Sequence, residues 1–583
     1  MKGWRGRMLL IDLTSGNHRF ESIDPGLCRS WIGGKGLAGH YLYPEITRSW
    51  DDPGLPLVFM TGPLTATASP ASGRTCVASR SPLTGTIGDC SVGGSLGWQL
   101  RRAGIDGIVI TGRRGSLCGI EIADGEVSIE DARRMAGMTV DRLHAGLKRM
   151  GAVACIGPAA ENGVLFASMM VDGSFAAGRG GLGLVCAGKN LKYMTVRGSG
   201  SVPVHDAERL KLAVADIRRL VAATPALTGE HGLQNCGTAA CYDLVSSRRM
   251  MPTANFRRTF FGKASSMNSH AFSGAFGSKR HGCKACHILC KRVGNDGTHL
   301  PEFETMSHFS ALVENDDLQA VTEANRICNE TGMDTISAGA TLACYSEMRG
   351  EKLSPARISG LLLDISGGRG EGAELGQGSY RYASSKGCPE LSMSVKGMEL
   401  PGYDPRGACG MALGYVTSTR GGCHLRAYPI SHEILRKPVA TDRFSFSGKA
   451  RIVKIAEDMN AVVDSLTACK FLFFGCSLEE YSAAFSAVTG IATSAQDLLA
   501  AGERIYFRER MMNAGCGFTS EDDDLPPRFF NEAGSSGEGI EVPPLDRGEF
   551  LEARSKYYRI RGLGPDALPM RSKALELGLG ELL

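Results

Sequence analysis

The run HGCKACHILC, residues 281–290, organises this chain, because it spaces three cysteines as C-x2-C-x3-C and implies a loop folded around a metal centre. A further cysteine follows far downstream in DSLTACKF, residues 464–471. A [4Fe–4S] cluster takes one thiolate on each of its four irons. The triplet would wrap three corners, and the distant cysteine would tie that loop to another part of the fold. The candidate ligands are Cys283, Cys286, Cys290 and Cys469.

Other uses of these cysteines stay open from the residues alone. A structural zinc site also takes four cysteines, although usually as two CxxC pairs. Unrelated buried thiols are common in protein cores. Radical-SAM enzymes place the longer gap first, which is the reverse of the order here, and molybdopterin enzymes of the nitrate-reductase type carry a similar triplet near the N-terminus rather than mid-chain. The spacing favours an electron-carrying cluster over these alternatives.

Length and composition narrow the class of protein. A chain of 583 residues is too long for one core, so we expect at least two domains, and three or four as the ordinary number. The net charge of +4 indicates neither a nucleic-acid partner nor an anionic membrane surface. Glycine stands out at 76 residues, about twice its usual share, which indicates backbone packed closely around a large polar group.

Cysteine usage and hydropathy indicate a cytoplasmic protein. The 19 cysteines lack the dense, short-spaced framework of a secreted disulfide scaffold. The opening MKGWRGRMLLIDLTSG shows no signal-peptide pattern. No apolar run reaches the roughly 20 residues of a membrane span. We therefore expect a reducing cytoplasm, and the many thiols beside a cluster suggest an anaerobe.

The secondary-structure pattern divides the chain into three regions. Residues 1–204 contain short β-rich segments, such as LLIDL, LVFMTG, GIVITG and GIEIAD, between turns. The segment GSGSVPVHD, residues 198–206, predicts a hinge. Residues 205–400 and 401–583 show helical patterns and carry the cysteine triplet and the fourth cysteine, respectively.

Local signals place several helix ends. Asp206 is the expected N-cap of DAERLKLAVADIRRLVAA. The run QAVTEANRICNETGMDTISAGATLACYSEMRG predicts two helices that break at Thr331–Gly332, with Asp334 capping the second. A further helix is predicted in KARIVKIAEDMNAVVDSLTACKF, leading into the fourth cysteine. The acidic, proline- and glycine-rich stretch 520–546 predicts a loop that wraps the surface.

Several motifs, in this order, resemble those of one family. GWRGRMLLIDLTSG is followed by WIGGKGLAGHYLY, TGPLTATASPASGRTCVASRSPLTGTIGDCSVGGSLG and GRGGLGLVCAGKNLK. CNETGMDTISAG, DSLTACKF and YYRIRGLGPDALP come later. Together with the four cysteines, they make the chain similar over its whole length to the aldehyde:ferredoxin oxidoreductase family, the tungsten bis-pyranopterin enzymes.

The resemblance implies a fold and a set of cofactors. The fold is α+β, with a β-rich N-terminal domain (1–204) as a base for two pyranopterins and two mainly α-helical domains (205–400 and 401–583) closing over them. A tungsten ion, less often molybdenum, sits on the four dithiolene sulfurs, with one [4Fe–4S] cluster close by as the electron outlet. Mg²⁺ bridges the two pterin phosphates. Glycine-rich turns offer bare N–H groups to phosphates, and arginine pairs with them bidentately.

The same resemblance assigns individual residues. Arg74 matches a position that contacts cofactor phosphate, and Ser91 and Gly93 match a stretch that contacts pterin and magnesium, with Ser91 where Asn is common. Asn329 replaces the usual Asp of the first pterin motif, whereas Asp464 keeps it in the second. The implied cofactor-binding residues are Arg74, Ser91, Gly93, Arg179, Gly180, Leu182, Asn329, Met333, Arg426, Asp464 and Ala468.

Proton transfer needs its own residues, because oxidising an aldehyde with water releases two electrons and two protons. A glutamate of raised pKa or a histidine suits this role near pH 7. In LPEFETMSHFSAL, Glu304 best matches the family's active-site glutamate, with Glu302 its rival and His308 close by. In STRGGCHLRAYP, His424 matches the active-site histidine. Outside the resemblance, Glu302 is also explained as a helix-start carboxylate and His424 as a core histidine.

Two features depart from the family pattern. Some relatives hold a metal at a dimer interface through a glutamate and a histidine, and Glu323 matches the glutamate. No histidine stands between His308 and His424, so we expect no such metal and regard Glu323 as a surface carboxylate. Three extra thiols, those of Cys90, Cys328 and Cys423, neighbour the motifs. Packing is the preferred explanation for them, with Cys423 as an alternative tungsten ligand.

The predicted function is oxidation of an aldehyde and water to a carboxylic acid, with electrons leaving through the cluster to ferredoxin or a ferredoxin-like subunit. A homodimer or a small complex is expected, without nucleic acid. One alternative is an enzyme of the same family that reduces an aryl thioester or oxidises a sugar aldehyde. Another is a non-catalytic electron-transfer or assembly subunit that keeps only the cluster, for which the replacements at Asn329, Ser91 and Thr467 are the support.

Overall fold

The computed structural model describes residues 2–582. Its first third is built on two six-stranded mixed sheets. The strands are β1 (Arg7–Asp12), β2 (Asn17–Ser22), β3 (Leu57–Met60), β4 (Thr75–Arg80), β5 (Ile87–Val92), β6 (Gly107–Thr111), β7 (Cys118–Ala123), β8 (Glu126–Asp131), β9 (Ala152–Ile156), β10 (Met169–Val171), β11 (Phe175–Ala177) and β12 (Leu191–Arg197).

The sheets share a similar plan. The first has the order β2-β1-β6-β3-β4-β5 and the second β11-β10-β9-β12-β7-β8. Each holds a single parallel pair, β1 with β6 and β12 with β7, among antiparallel neighbours. The central strands β3 and β9 are buried along their whole length, which explains their continuous apolar runs. The helices within this region are α1 (Pro25–Trp31), α2 (Gly34–Leu42), α3 (Leu96–Arg102), α4 (Val140–Leu147), α5 (Pro158–Glu161) and α6 (Leu182–Gly188).

A mainly helical middle region follows the predicted hinge, which lies between the end of β12 and the next helix. Two short hairpins interrupt it, β13 (Lys279–His281) with β14 (Lys291–Val293), and β15 (Ser394–Val395) with β16 (Met398–Glu399). Its helices are α7 (Ala207–Ala222), α8 (Pro225–Thr228), α9 (Leu233–Cys236), α10 (Ala240–Ser247), α11 (Ser269–Phe276), α12 (Phe303–Phe309), α13 (Leu318–Thr331), α14 (Thr335–Arg349), α15 (Pro355–Gly367), α16 (Glu371–Leu375) and α17 (Ser379–Ser385).

The last region is also helical. Its two longest helices, α20 and α22, pack against each other, and both contact α2 of the first region, which carries the core from the sheets into the helices. Helices of this region are α18 (Cys409–Thr417), α19 (Ile430–Glu433), α20 (Lys449–Ser465), α21 (Leu478–Thr489), α22 (Ala495–Gly515), α23 (Arg528–Asn531), α24 (Arg547–Arg561) and α25 (Arg571–Glu576).

The predicted order of strands and helices is confirmed. The α+β fold class is confirmed, and the four quoted β segments form β1, β3, β6 and β7. Asp206 caps α7 by accepting from the Arg209 N–H. α13 ends at Thr331, and Asp334 caps α14 through the Ile336 and Ser337 N–H groups. None of the helices described between residues 2 and 582 combines the length and the apolar character needed to cross a bilayer.

Candidate functional site

The cysteine triplet lies in the loop that joins β13 to β14. Two of its residues, Ala285 and Leu289, have positive φ angles of 59° and 53°, so the backbone curls tightly around the thiols. The backbone N–H groups of Ile288 and Leu289 point at the thiol of Cys286. Hydrogen bonds of this kind are a usual feature around cluster sulfurs.

The fourth predicted ligand lies beside this loop. Cys469 follows α20 and donates its N–H to the carbonyl of Ala71 at 3.0 Å. Its thiol is close enough to those of Cys283 and Cys286 for their charges to interact. No three of the four thiols converge within 4.8 Å in residues 2–582, whereas Zn–S bonds of about 2.3 Å would hold sulfurs roughly 3.8 Å apart. The four thiols come from two segments, the β13–β14 loop and the turn after α20.

Arg74 bridges the cluster loop and the first sheet. Its Nε donates to the Ser91 hydroxyl at 2.9 Å, and its Nη2 donates to the Ser91 carbonyl. Burial would lower the pKa of Arg74, but the neighbouring thiols of Cys469 and Cys283 raise it. Gly93 lies against Cys283, and a Cβ at position 93 would collide with the Cys283 Sγ. The sheet edge therefore approaches the cluster loop where only glycine fits.

The structure separates the two candidate glutamates. Glu302 precedes α12, and its carboxylate pairs with Lys291 at 2.7 Å while remaining 42% exposed. Glu304 lies inside, where it accepts one backbone hydrogen bond at Oε2, from the Gly402 N–H at 2.8 Å. Its Oε1 is buried without a hydrogen-bond partner in the described residues. Burial raises the pKa of Glu304 to about 8, so this carboxyl is largely protonated at neutral pH.

His424 lies beside Glu304, with Nε2 3.5 Å from the glutamate Oε1. Its Nδ1 is buried and has no hydrogen-bond partner among residues 2–582. Burial, reinforced by the charges of Arg179 and Arg420, holds the pKa of His424 well below its usual value, so the ring is neutral. Tyr403 packs against the ring at 5.5 Å between centroids. An uncharged acid and an uncharged base are thus held side by side.

His308 completes this group from one turn further along α12. Its Nδ1 lies 2.7 Å from the Glu304 carbonyl and 3.7 Å from the Glu304 carboxylate. Its Nε2 lies 3.2 Å from the Leu400 carbonyl. Burial lowers the pKa of His308 to about 4. A neutral ring has one N–H, so His308 donates either to the Glu304 carbonyl or to the Leu400 carbonyl, depending on its tautomer.

The second pterin motif ends α20 next to the fourth cysteine. Asp464 accepts a hydrogen bond at Oδ2 from Lys470 at 2.6 Å, but its buried Oδ1 lacks a partner within residues 2–582. Lys470 also donates to the carbonyl of Leu425 at 3.0 Å, which joins the cysteine segment to the residue after His424. Gly34, at the start of α2, packs so closely on the Asp464 carbonyl that a Cβ would clash there.

The first pterin motif lies at the junction of α13 and α14. Asn329 and Met333 line a cavity of about 80 Å³, together with Asp334 and Glu302. The Asp334 carboxylate pairs with Arg179 at 3.3 Å, and Arg179 also donates to the carbonyl of Gly422 at 2.8 Å. Gly180 and Leu182 follow, and Leu182 begins α6. The turn that contains Arg179 thereby connects the first motif to the segment that carries His424.

Arg426 lies in a buried charge network. Its guanidinium pairs with the carboxylate of Asp89 on β5 and lies 3.8 Å from Glu509 on α22. Lys35 on α2 pairs with the same two carboxylates. Burial opposes ionisation of Asp89, but Arg426 and Lys35 hold its pKa well below the usual range. A phosphate role for Arg426 remains a prediction, since its guanidinium already pairs with Asp89.

Cys423 is a hydrogen-bonded thiol, which differs from the expected packing role. Its Sγ accepts from Arg420 at 3.2 Å and 2.9 Å and from the Leu425 N–H at 3.2 Å. Burial would raise the pKa of Cys423, but Arg420 and Arg426 outweigh it and lower the pKa to about 7. Cys90 and Cys328 are buried thiols whose pKa values burial raises instead. Cys423 therefore holds a partly ionised sulfur beside His424.

The residues present fit a large polar group. Oxygen and nitrogen atoms of three buried side chains, Glu304, His424 and Asp464, are left without hydrogen-bond partners among the described residues. Buried polar atoms are ordinarily satisfied, and each exception calls for a ligand or water. Lys470, next to the fourth cysteine, contacts Asp464 and the residue after His424, and Glu304 lies 3.5 Å from His424. Asp464 and the surrounding glycine-rich turns would hold a pterin, and the four thiols would hold a cluster.

Sequence reasoning missed several residues of this site. Tyr403 and Tyr428 flank the His424 ring, and their hydroxyls lie 3.3 Å apart. Asp89 and Glu509 carry the charge network, yet they stand on β5 and α22, far apart in the chain. No spacing signal links them, although Asp89 directly precedes the quoted Cys90. Glu323 pairs with Arg326 at 2.6 Å, as a surface carboxylate does.

Comparison with known proteins identifies the family of this chain. The model of the aldehyde ferredoxin oxidoreductase N-terminal domain matches residues 8–198, and the model of domains 2 and 3 matches residues 212–579. The chain is 36% identical to the tungsten-containing aldehyde ferredoxin oxidoreductases of Pyrococcus furiosus and Thermococcus kodakarensis, over 100% of each chain. It is 24% identical to the aliphatic sulfonate oxidoreductase, WOR-like subunit, of Pyrococcus furiosus, over 100% of this chain and 98% of that one.

A solved structure shares the fold. The active-site complex BamBC of benzoyl coenzyme A reductase, bound to 1,5-dienoyl-CoA, superposes with a TM-score of 0.85 and 21% identity, covering 100% of this chain and 98% of that one. The full-length identity and the two matched models identify the chain as a member of the aldehyde ferredoxin oxidoreductase family.

Proposed function

We propose that this protein is a tungsten–pyranopterin oxidoreductase that converts an aldehyde and water to a carboxylic acid. The two electrons would leave one at a time through a [4Fe–4S] cluster to ferredoxin or a ferredoxin-like subunit. The observation that carries the proposal is the largely buried pair of Glu304 and His424, both mainly uncharged, with the His424 segment joined through Lys470 to Cys469.

Bound cofactors would be held by residues already described. Asp464 and Asn329 would contact the pterins, Arg74 would contact a cofactor phosphate, and Cys283, Cys286, Cys290 and Cys469 would hold the cluster. Ser91 would lie near the Mg²⁺ that the family resemblance implies. When bound, the metal–pterin centre supplies the two-electron oxygen-transfer chemistry, and the cluster splits it into single electrons.

The protein's part of the reaction is proton handling. The overall change turns R–CHO and H₂O into R–COOH with two electrons and two protons released. The ionised fraction of Glu304 accepts a proton from the attacking water, because a pKa of about 8 makes this carboxylate a competent base near neutral pH. Neutral His424, 3.5 Å away, positions this carboxyl, because its lowered pKa makes the ring a weaker base than the Glu304 carboxylate. Tyr403 and Tyr428 pack against the His424 ring and hold its position.

Metal and pterin analysis of anaerobically purified protein tests the proposal. It predicts tungsten with about four irons and about two pterins per tungsten, followed by aldehyde-dependent reduction of a viologen dye. Iron without tungsten and pterin would instead indicate the electron-transfer subunit. A tungsten-replete sample that oxidises no aldehyde of a broad panel would defeat the substrate assignment and leave the cofactor assignment in place.

A further inference from the structure

A second metal-ligand set lies outside the site described above. The ligand atoms of His231, Cys236 and His270 all lie within 4.8 Å of one another. His231 stands in the turn between α8 and α9, Cys236 ends α9, and His270 is in the first turn of α11. None of the three belongs to the cluster ligands or the predicted cofactor residues. We propose that these residues bind a divalent zinc-like metal ion.

The backbone around these residues is fixed before any metal binds. The Cys236 N–H donates to the Gly232 carbonyl at 2.9 Å, which closes the turn after His231. On the other side, Asn268 caps α11. Its side-chain oxygen Oδ1 accepts a hydrogen bond from the Ala271 N–H at 3.0 Å. The Asn268 amide also donates to both oxygens of Asp243 at 3.2 Å. Two separately anchored segments thus present their ligands to one point.

The three side chains converge, but their rings do not stack and their ligand atoms do not hydrogen-bond to one another. The rings of His231 and His270 cross edge-to-face, with centroids 5.7 Å apart and planes at 80°. The Cys236 thiol donates only a long hydrogen bond to the Glu230 carbonyl, at 3.7 Å. Both histidines are exposed and the cysteine is half-buried, so an ion can enter from solvent. A metal would replace this weak thiol contact with a thiolate bond.

The donor set selects the class of metal. Two imidazole nitrogens and one thiolate suit Zn²⁺ and similar borderline-soft ions, whereas Mg²⁺ and Ca²⁺ require oxygen ligands. Three protein ligands leave a fourth tetrahedral position for water. This ligand spacing also differs from that of the four cluster cysteines, no three of which approach within 4.8 Å in the described part of the chain.

The site would brace the outer wall of the cluster loop. Between His231 and Cys236, Gln234 donates its side-chain N–H to the carbonyl of His287 at 3.1 Å. Arg292 on β14 donates to the Gln234 carbonyl at 2.6 Å. Gly237, which follows Cys236 in the chain, packs on the Cys290 carbonyl so closely that a Cβ at position 237 would clash there. A metal between α9 and α11 therefore stabilises a segment that lies directly against the cluster loop.

Zinc binding by the anaerobic holoenzyme tests this site, with Zn²⁺ as the probe. After incubation with equimolar Zn²⁺ and desalting, wild-type protein should retain about one zinc per chain, while Cys236→Ser and His270→Gln should each retain at least tenfold less. Cys388→Ser, which changes another half-buried cysteine outside the set, is the matched control and should retain zinc like wild type. Iron content and circular dichroism verify that each variant is folded and loaded.

Zinc-edge X-ray absorption gives a second, independent measurement. The site predicts one sulfur at about 2.3 Å and two nitrogens at about 2.0 Å around zinc, and loss of the sulfur contribution in Cys236→Ser. Equal zinc retention in wild type and both ligand variants would overturn the proposal. So would a wild-type spectrum with only nitrogen and oxygen neighbours, or no zinc retained by wild-type protein.

Discussion

Two buried carboxyl groups in this protein lie in opposite environments. Asp523 accepts from Lys396 at 2.5 Å, from Arg510 at 2.8 Å and from the Tyr558 hydroxyl at 3.0 Å, so both its oxygens are satisfied. Glu304 accepts one backbone N–H at Oε2 and keeps a buried, unpartnered Oε1. Arg510 and Lys396 overcome burial and lower the pKa of Asp523 to about 2, whereas burial raises the pKa of Glu304 to about 8.

The contrast separates a structural charge from a chemical one. Asp523 is buried together with its counter-charges. It links the stretch 520–546 to Lys396, between β15 and β16, and to Arg510 on α22. Glu304 is largely buried, with its side chain 18% exposed and no cation paired with it among residues 2–582, which costs stability unless the group serves a ligand or a reaction. A carboxyl group can therefore serve stability or chemistry, and the groups that contact it decide which of the two it serves. Four predictions follow this contrast, and each can be measured on purified protein.

The largest effect is expected from Glu304→Gln. Glutamine keeps the shape and can still accept the Gly402 N–H, but it cannot take up a proton. We expect kcat/KM for aldehyde oxidation to fall roughly 10²- to 10⁴-fold, with tungsten and iron contents unchanged. Glu323→Gln is the matched control, since that carboxylate pairs with Arg326 on the surface and should retain activity near wild type. Equal losses in both variants would remove the distinction between them.

Asp523→Asn should have the opposite phenotype. Removing this carboxylate leaves Lys396 and Arg510 buried without a counter-charge, which costs about 3–5 kcal/mol. We expect a clear fall in the urea midpoint, with kcat/KM per loaded enzyme little changed. A variant of wild-type stability and reduced turnover would show that Asp523 belongs to the reacting site.

Acid should weaken the wild-type protein through Asp523. Its folded pKa lies below the unfolded value of 3.8, so its stabilisation is present above pH 4 and is lost as pH falls toward 2. The shift corresponds to about 2 kcal/mol. Denaturation curves at pH 6 and pH 3 should therefore differ less in Asp523→Asn than in wild type. The same pH dependence in both proteins would count against this ion pair.

The smallest effect on stability and turnover is expected from Asp524→Asn, at the residue after Asp523. Asp524 pairs with Arg547 at 2.5 Å, but both side chains are substantially exposed. Surface pairs of this kind contribute under about 1 kcal/mol. Asp524→Asn should leave the urea midpoint and the turnover almost unchanged. A loss as large as that of Asp523→Asn would mean that burial does not set the difference between these neighbours.

Much of the fold follows from local sequence signals. The apolar runs of β1 and β3 and the caps at Asp206 and Asp334 depend on neighbouring residues, so their positions were predictable. The cysteine set stays a prediction, and the structure places Cys469 beside the loop of the other three. Glu302 and Glu304 could not be separated by sequence pattern, because both follow Pro301 within three residues and only tertiary packing decides which one is buried.

Contacts between distant segments were beyond sequence reasoning. Asp89, Arg426 and Glu509 meet only after a strand, a loop and a helix of different regions pack together. Cys423 looks like a small core residue until Arg420 folds back on its sulfur. His231, Cys236 and His270 lack a recognised ligand spacing, since His270 stands 34 residues after the cysteine.

The pH dependence of kcat/KM, measured for wild type and Glu304→Gln, tests the central claim most directly. For wild type, the account predicts activity that rises through a pKa near 8 as Glu304 ionises, because the carboxylate is the base. The variant should show a low residual rate without that rise. An unchanged rise near pH 8 in Glu304→Gln would contradict the account, because the titrating base would then be another group.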